Sequence, residues 1–409
     1  MSYINPEEMG FRDSPQLDAY GRLRVSNTYP LFDNTNEYGI NSRDWVSRIT
    51  GTGSSTHIPN ESSYELSTGG TANGSGYVRQ SRLYWRCFPG RSSYLFISFQ
   101  YGNAVANCVK RTGYYDDNNG IFFEQNGTDL RFVSRTSITG AVSDAHYATQ
   151  AQWNVDRFDG TGPSGLTLDI TKYQTIFYDI FYSTAGRVRC GFVIGGHLWP
   201  AHEFVSGNDA LSNLWRTPHL PIRGEVLNVG TAASIGTVRY RGSSLQVEAG
   251  SNEYSRGYLN TGNTGITPAA VTTRRPILSI RAKSLLNGIA NRGWVVPYDF
   301  GLRTSTNDAL YEIIVGATLT GASWVSPAAD SCGEYDISAT AATGGFPVIS
   351  GYVLAGQGSS AGATIQQLIE KYPTSVESLG NTQPTYTIMA TSLSGTANVS
   401  AVINWREIY

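Results

Sequence analysis

The sequence predicts an all-β protein: an extended N-terminal arm, a β-sandwich or jelly-roll domain, and a smaller C-terminal β domain. Three observations carry that prediction. Charged residues are only 15% of the 409 residues, against roughly 25% in a typical globular protein. Their place is taken by 45 Gly, 25 Tyr and abundant Ser, Thr and Asn, which suit turns and pleated surfaces. Apolar residues recur with period two in many short runs cut by turn residues, whereas a helical period is convincing only over 364–372. The hydrophobic share of 40% is enough for sizeable cores, which excludes general disorder. A chain of this length is expected to form two or three domains.

Taken in order, residues 1–50 are punctuated by Pro6, Gly10, Pro15, Gly21, Pro30 and Gly39, so closely that no helix or long strand fits. Large apolar residues nevertheless recur there. The segment reads as a docking arm over 1–50, with Leu17, Tyr20, Leu23, Val25, Leu31 and Phe32 as candidate interface residues. Residues 51–250 read as the jelly roll. Strands are expected at 94–100, 120–124 and 130–134, the last two joined by a tight turn at Asn126-Gly127. Residues 174–182 and 187–194 form the clearest hairpin, and 235–241 with 244–248 flank Gly242-Ser243 as another. Residues 251–272, rich in Gly, Asn and Thr, read as a linker. The C-terminal β domain covers 273–409, and its short helix over 364–372 is closed by Pro373.

Charge and composition narrow the function. Thirty Lys plus Arg against 32 Asp plus Glu give a net charge of −2. That lacks the basic excess that neutralises phosphates, so nucleic acid is not an expected partner. No run approaches 18 apolar residues, so no membrane partner is expected, and the first residues lack the apolar centre of a secretion signal. Cys87, Cys108, Cys190 and Cys332 are widely spaced without a C-x-x-C and read as free buried thiols. The sequons at Asn60, Asn73, Asn126 and Asn398 then mark polar loops.

Candidate chemistry is sparse. Asp116, Asn118 and Gly120 begin an EF-hand-like spacing, but Gly falls one residue early and no Glu follows at the required distance, so a turn is expected. His197 and His202 lie five apart with Pro200 between them, which does not place them together as zinc ligands. Asp156, Asp159 and Asp169, set among Gly160, Gly162, Pro163 and Gly165, read as caps on backbone amides of an irregular loop. An oxygen-rich metal loop is the alternative there. Asp179 reads as the cross-strand ion-pair partner of Arg187 or Arg189, with the register left open. No strand alternates Glu and Asp as a glycosidase acid pair would. No catalytic residue, metal or cofactor is therefore expected. Tyr77, Tyr84, Tyr94, Tyr101, Tyr114, Tyr115, Trp85, Trp199 and Trp215 read mainly as packing, with a glycan-binding patch as the alternative.

Residues 14–26 (SPQLDAYGRLRVS) resemble the N-terminal arm of a family of tailed-bacteriophage virion structural proteins. The resemblance continues through 113–124 (GYYDDNNGIFFE), 187–196 (RVRCGFVIGG), 220–223 (LPIR) and 274–281 (RRPILSIR). It is strongest at 152–169 (QWNVDRFDGTGPSGLTLD). It implies a non-enzymatic, β-rich part of a virus particle, either a capsid-surface decoration or head fibre, or a neck or tail component. Such a subunit would assemble with copies of itself, expected as a trimer, and with other virion proteins. The low charge fits a surface covered by neighbours, since interface centres are depleted of charge. The alternative is a jelly roll that binds or cleaves host glycan.

Overall fold

A computed structural model describes residues 27–181, 186–206, 214–248, 257–355, 358–361, 373–380 and 382–409. The chain divides into two compact units, Met1–Asn252 and Glu253–Tyr409. Among the described residues it is built of strands, with two single 3-10 turns, so the all-β class holds. The helix expected over 364–372 lies outside the described residues.

The N-terminal unit is a sandwich of two antiparallel sheets. One runs through β13 (His197–Val205), β12 (Arg187–Ile194), β11 (Gln174–Phe181), β6 (Ser92–Gln100), β15 (Thr237–Glu248), β4 (Ser63–Ser67) and β3 (Ser54–Ile58). β1 (Thr28–Thr35) also pairs with β15. The other runs through β10 (Ser143–Thr149), β9 (Asp129–Thr136), β8 (Gly120–Asn126), β7 (Cys108–Tyr115), β14 (Ile222–Asn228), β5 (Gly76–Ser81) and β2 (Trp45–Thr50).

Alternation decides which side chains meet between the sheets. β6 turns Leu95, Ile97 and Phe99 inward, β11 turns Ile176, Tyr178 and Ile180, and β12 turns Val188, Cys190 and Phe192, all buried. From the facing sheet, Phe123 lies 5.5 Å from Phe192 and Phe132 lies 6.5 Å from Tyr178. Buried phenols need an acceptor. Tyr178 donates to the Thr112 carbonyl at 2.7 Å and Tyr240 to the Arg111 carbonyl at 2.8 Å, both across the sandwich. All four cysteines are buried free thiols.

The loop over 152–169 closes this core. Trp153 and Phe158 enter it, with Trp153 5.0 Å from Phe132 and Phe158 5.6 Å from Phe192. Asp156 is buried and accepts from the amides of Phe158 at 2.9 Å and Ser164 at 2.8 Å. Asp159 and Asp169 cap Thr161 and Thr171 in the same way. A Cβ at Gly162 would stand 2.1 Å from the Asp156 carboxylate, so only glycine lets the loop wrap its own cap. Asp116 likewise accepts from the amides of Asn118 and Asn119, making the expected turn into Gly120.

Three expectations are corrected. Residues 28–50 are not a separate arm, because β1 and β2 are ladder strands of the two sheets. Leu31 is half-buried, and Phe32 packs between Trp45 and Trp85 at 5.6 and 5.0 Å; Pro30 fits because β1 is irregular there. Leu17, Tyr20, Leu23 and Val25 lie outside the described residues. Gly242-Ser243 is not a hairpin turn. β15 runs straight through it, with a bulge opposite Ser98, and the Asn36 amide bonds the Tyr240 and Arg241 carbonyls there. Within the expected linker, Tyr258–Asn263 and Ala269–Val271 are strands paired to Ala397–Ile408.

The C-terminal unit also carries two five-stranded sheets among the described residues. Its last strand, Ala397–Ile408, alternates buried and half-buried residues throughout. The inward row ends on Glu407, whose carboxylate accepts from the Ser331 hydroxyl, the Cys332 and Gly333 amides and the Trp405 indole. That donor set replaces the water the buried charge has lost.

The Asp156 caps give the first prediction. Asp156→Ala strands two amides and is expected to destabilise the N-terminal unit by about 2–6 kcal/mol, from roughly 1–3 kcal/mol per orphaned group. Urea unfolding measures it, and a loss below about 1 kcal/mol would show that the caps are dispensable.

Candidate functional site

The outer face of the seven-stranded sheet carries the densest polar arrangement in the N-terminal unit. In-register pairing places Glu225, Arg111, Glu124 and Arg131 in one row across β14, β7, β8 and β9. Opposite charges directly across from one another attract. The Arg111 Nε stands 2.5 Å from Glu124 and its Nη1 3.5 Å from Glu225, while Arg131 closes on the other Glu124 oxygen at 2.5 Å. Glu225 also takes Arg223 at 3.0 Å and the Tyr115 hydroxyl at 3.2 Å. Arg223 passes on to Asp117 at 2.7 Å, and Arg48 grips the same carboxylate at 2.8 Å. Arg135 makes a two-pronged pair with Asp144.

Beneath these charges sits a small apolar cluster of Tyr115, Phe122 and Val133. The guanidinium groups lie over its rings: Arg111 and Arg135 at 5.4 and 5.1 Å from Phe122, Arg135 and Arg223 at 5.8 and 5.0 Å from Tyr115. The arginines thus cover aromatic surface and pair with acids at once.

Electrostatics keep Glu225 and Asp117 charged. Burial works to raise the Glu225 carboxyl, but Arg223, Arg111, Arg135 and the Tyr115 hydroxyl outweigh it and hold it below its ordinary value. At Asp117 burial is likewise outweighed, by the Arg48 hydrogen bond and the Arg223 charge, and the carboxyl lies well below the usual range. A general acid for glycoside hydrolysis needs the opposite shift, so Glu225 is not a proton donor at neutral pH. The arrangement is suited to holding polar groups in fixed directions. At the β10 edge Tyr147 is 44% exposed, with the Arg131 guanidinium 5.0 Å from its ring.

The other sequence candidates fall elsewhere. Asp179 lies directly opposite Arg189 in the ladder, and Arg187 opposite Phe181. Arg189 also pairs with Glu203 at 2.6 Å. His202 is buried against Phe204, and burial with the His146 charge lowers it to about 4. His197 sits at the far end of the same strand, paired with Ile194. Among the described residues no group of three His, Cys, Asp or Glu side chains converges. Tyr77, Tyr94, Tyr101, Tyr114, Tyr115, Trp85 and Trp215 are buried. Sequence reasoning did not single out Arg111, Glu124, Arg131, Tyr147, Arg223 or Glu225. The available signal was the period-two spacing of Arg131 with Arg135's face and of Arg223 with Glu225.

No family model and no curated protein matches the chain. Solved structures do resemble part of it. A glycosyl hydrolase family protein from Mycobacterium fortuitum is similar at TM-score 0.36 and 10% identity, covering 53% of this chain and 99% of its own. A β-1,3-glucanase from Mycobacterium marinum gives 0.34 and 11%, over 53% and 98%. A protein of unknown function from Shewanella oneidensis MR-1 gives 0.36 and 8%, over 56% and 89%. The expectation of a non-enzymatic protein is corrected on this point and is not retained, since enzymes stand among these structures. Likeness at this level assigns no activity to the chain.

Arg111 generates the second prediction. Arg111→Met leaves Glu124 and Glu225 without their shared cation, and breaking such a buried pair costs about 3–5 kcal/mol. Glu225, held below its ordinary value in the native chain, contributes stability that is present above pH 4.5 and lost as pH falls through its lowered value. The gap between native and variant chains is therefore expected to be widest at neutral pH and to narrow below pH 4.5. Urea midpoints across that range measure it; a pH-independent gap would contradict the role given to Arg111.

Proposed function

We propose that the N-terminal sandwich binds glycan across the outer face of its seven-stranded sheet. The observation that supports this reading is the row of interlocked Arg and acid side chains beside the exposed Tyr147. Side chains already fixed by ion pairs lose little rotamer freedom on binding. The buried row fixes the sheet, while the planar Arg48 and Asp117 side chains at its margin keep 42% and 50% of their surface exposed and match the paired hydroxyls of a sugar; the half-exposed Tyr147 ring is a platform for its apolar face. Six inter-strand steps separate β10 from β2, which at about 4.8 Å each is roughly 29 Å. The face is matched to an extended oligosaccharide rather than a single ring. A glycan array on the full chain is expected to show saturable binding to one glycan class. Tyr147→Ala is expected to weaken it about tenfold, the equivalent of roughly 1.4 kcal/mol. No binding on the array, or an unaltered affinity in the variant, would overturn this reading.

A second reading, assembly into a virus particle with copies of itself, is favoured by the C-terminal unit. Tyr258 and Leu259 are each more than half exposed there, and Tyr258 stacks on the 43% exposed Tyr409 at 5.4 Å, a local apolar patch that a partner would cover. Tyr258 and Leu259 lie on an edge strand among the described residues, whose unpaired backbone can extend a sheet. Sedimentation of the full chain at micromolar concentration is expected to show a trimer, and Leu259→Glu to shift it toward monomer. A monomeric native chain would count against assembly through this surface.

A further inference from the structure

One side of the N-terminal sandwich is closed by contacts that depend on a neutral histidine. β10 ends the seven-stranded sheet and β13 ends the other, and the two strands do not pair with each other. Residues 153–156 bridge them instead. The Trp153 indole donates to the Ala148 carbonyl of β10 at 3.3 Å. Asn154 exchanges two hydrogen bonds with the Glu203 backbone of β13, at 3.0 and 2.8 Å. The Val155 and Asp156 amides share the Ala201 carbonyl. The remaining contact is the Asn154 amide, which donates to His202 Nδ1 at 3.3 Å. A backbone amide can only donate, so that nitrogen must present its lone pair. Protonating it removes the acceptor and sets two N–H groups against each other.

Among the described residues no carboxylate pairs with this imidazole or with its neighbour. His146 of β10 packs on the Phe204 ring at 4.9 Å and His202 packs on the same ring at 4.5 Å. Cys190, directly opposite His202 on β12, is pushed far up by burial and is neutral. Glu203 is held by Arg189 at 2.6 Å and Arg187 at 3.6 Å. The Asp156 carboxylate accepts from the Phe158 and Ser164 amides, and Asp144 of β10 is taken by Arg135 of β9 at 2.7 Å. Burial, and then the His146 charge, lowers His202 from 6.5 to about 4. The folded chain therefore favours the neutral ring, and this stability is lost as pH falls from 6.5 toward 4. β10 is the weak side of the closure. Among the described residues it pairs only with β9, across a bulge, and Ala145, His146 and Tyr147 are exposed. Such edges open at low free energy.

We infer that the His202–Asn154 contact is an acid-sensitive latch, which holds β10 in place at neutral pH and loosens it as the solution is acidified. His146 lies on the side of β10 that meets Phe204, and Tyr147 on the side that meets Arg131. Loosening the strand therefore displaces the Tyr147 platform too. On the glycan-binding reading, on which this consequence rests, the site releases its glycan in acid.

Hydrogen exchange on the full chain tests the latch without any glycan. Corrected for the intrinsic rate, exchange over residues 143–156 is expected to rise about twentyfold between neutral pH and about pH 5, as the His202 shift requires. β6 and β11 are expected to change little. His202→Asn keeps an acceptor near the Nδ1 position and cannot titrate, so its corrected exchange is expected to be independent of pH. Should that variant not fold, the His202 imidazole of the native chain is titrated by NMR, with protonation expected well below the ordinary histidine value. A native exchange rate indifferent to pH, an equal response in His202→Asn, or an ordinary titration of His202 would each overturn the latch. Repeating the glycan array at about pH 4, where the opening ratio has risen about a hundredfold, tests the coupling. Glycans held at neutral pH are expected to bind the native chain about tenfold more weakly and His202→Asn equally. Unchanged native affinity would overturn the control of the site, whereas an array empty at both pH values defeats the glycan reading and leaves the exchange result to decide the latch.

Discussion

A single layer of aromatic rings holds the two sheets of the N-terminal unit in fixed relation. Phe123, Phe132 and Phe192 meet between the sheets, and Trp153 and Phe158 from the 152–169 loop close the gap. Each ring buries large apolar area, but rings alone would leave the sheets free to slide. The phenols of Tyr178 and Tyr240 remove that freedom, because each must find a carbonyl on the opposite sheet or stay unsatisfied. The position of every outer-face side chain on the seven-stranded sheet follows from this registration.

The outer face shows how a sheet with few charges uses them. Four arginines and three acids form one connected lattice, with the Arg135–Asp144 pair beside it, over Tyr115 and Phe122 rather than a scatter of exposed residues. Isolated surface pairs contribute little. Here Arg111 and Arg223 each cover an aromatic ring and pair with two acids, so those pairs are desolvated and geometrically fixed. That rigidity is what makes the face a candidate for recognition. It also keeps Glu225 and Asp117 ionised, which sets them apart from a proton-donating catalytic acid.

Buried charge is handled differently at three places. Glu407 in the C-terminal unit is surrounded by four donors, and Lys110 donates to the carbonyls of Tyr101 and Asn103. Both are complete within the chain. Arg79 is not, although the rings of Trp45 and Tyr64 offset part of its cost.

Much of the fold was legible in the sequence because it depends on local chemistry. Period-two alternation located β6, β8, β9, β11 and β12, and Asn126-Gly127 marked their turn, since both signals need only neighbouring residues. The caps of Asp116, Asp156, Asp159 and Asp169 were readable for the same reason: each bonds an amide two or three residues on. Residues 28–50 misled, because dense Pro and Gly argue against regular structure locally, while ladders from β15 and β5 impose it from at least 26 residues away. The candidate site was hidden altogether. Glu124 lies 101 positions from Glu225 in the chain, and only the order of β14, β7 and β8 brings both onto Arg111. A sequence fixes which residues alternate; which strands become neighbours is decided by burying the aromatic layer, and charge pairing follows from that.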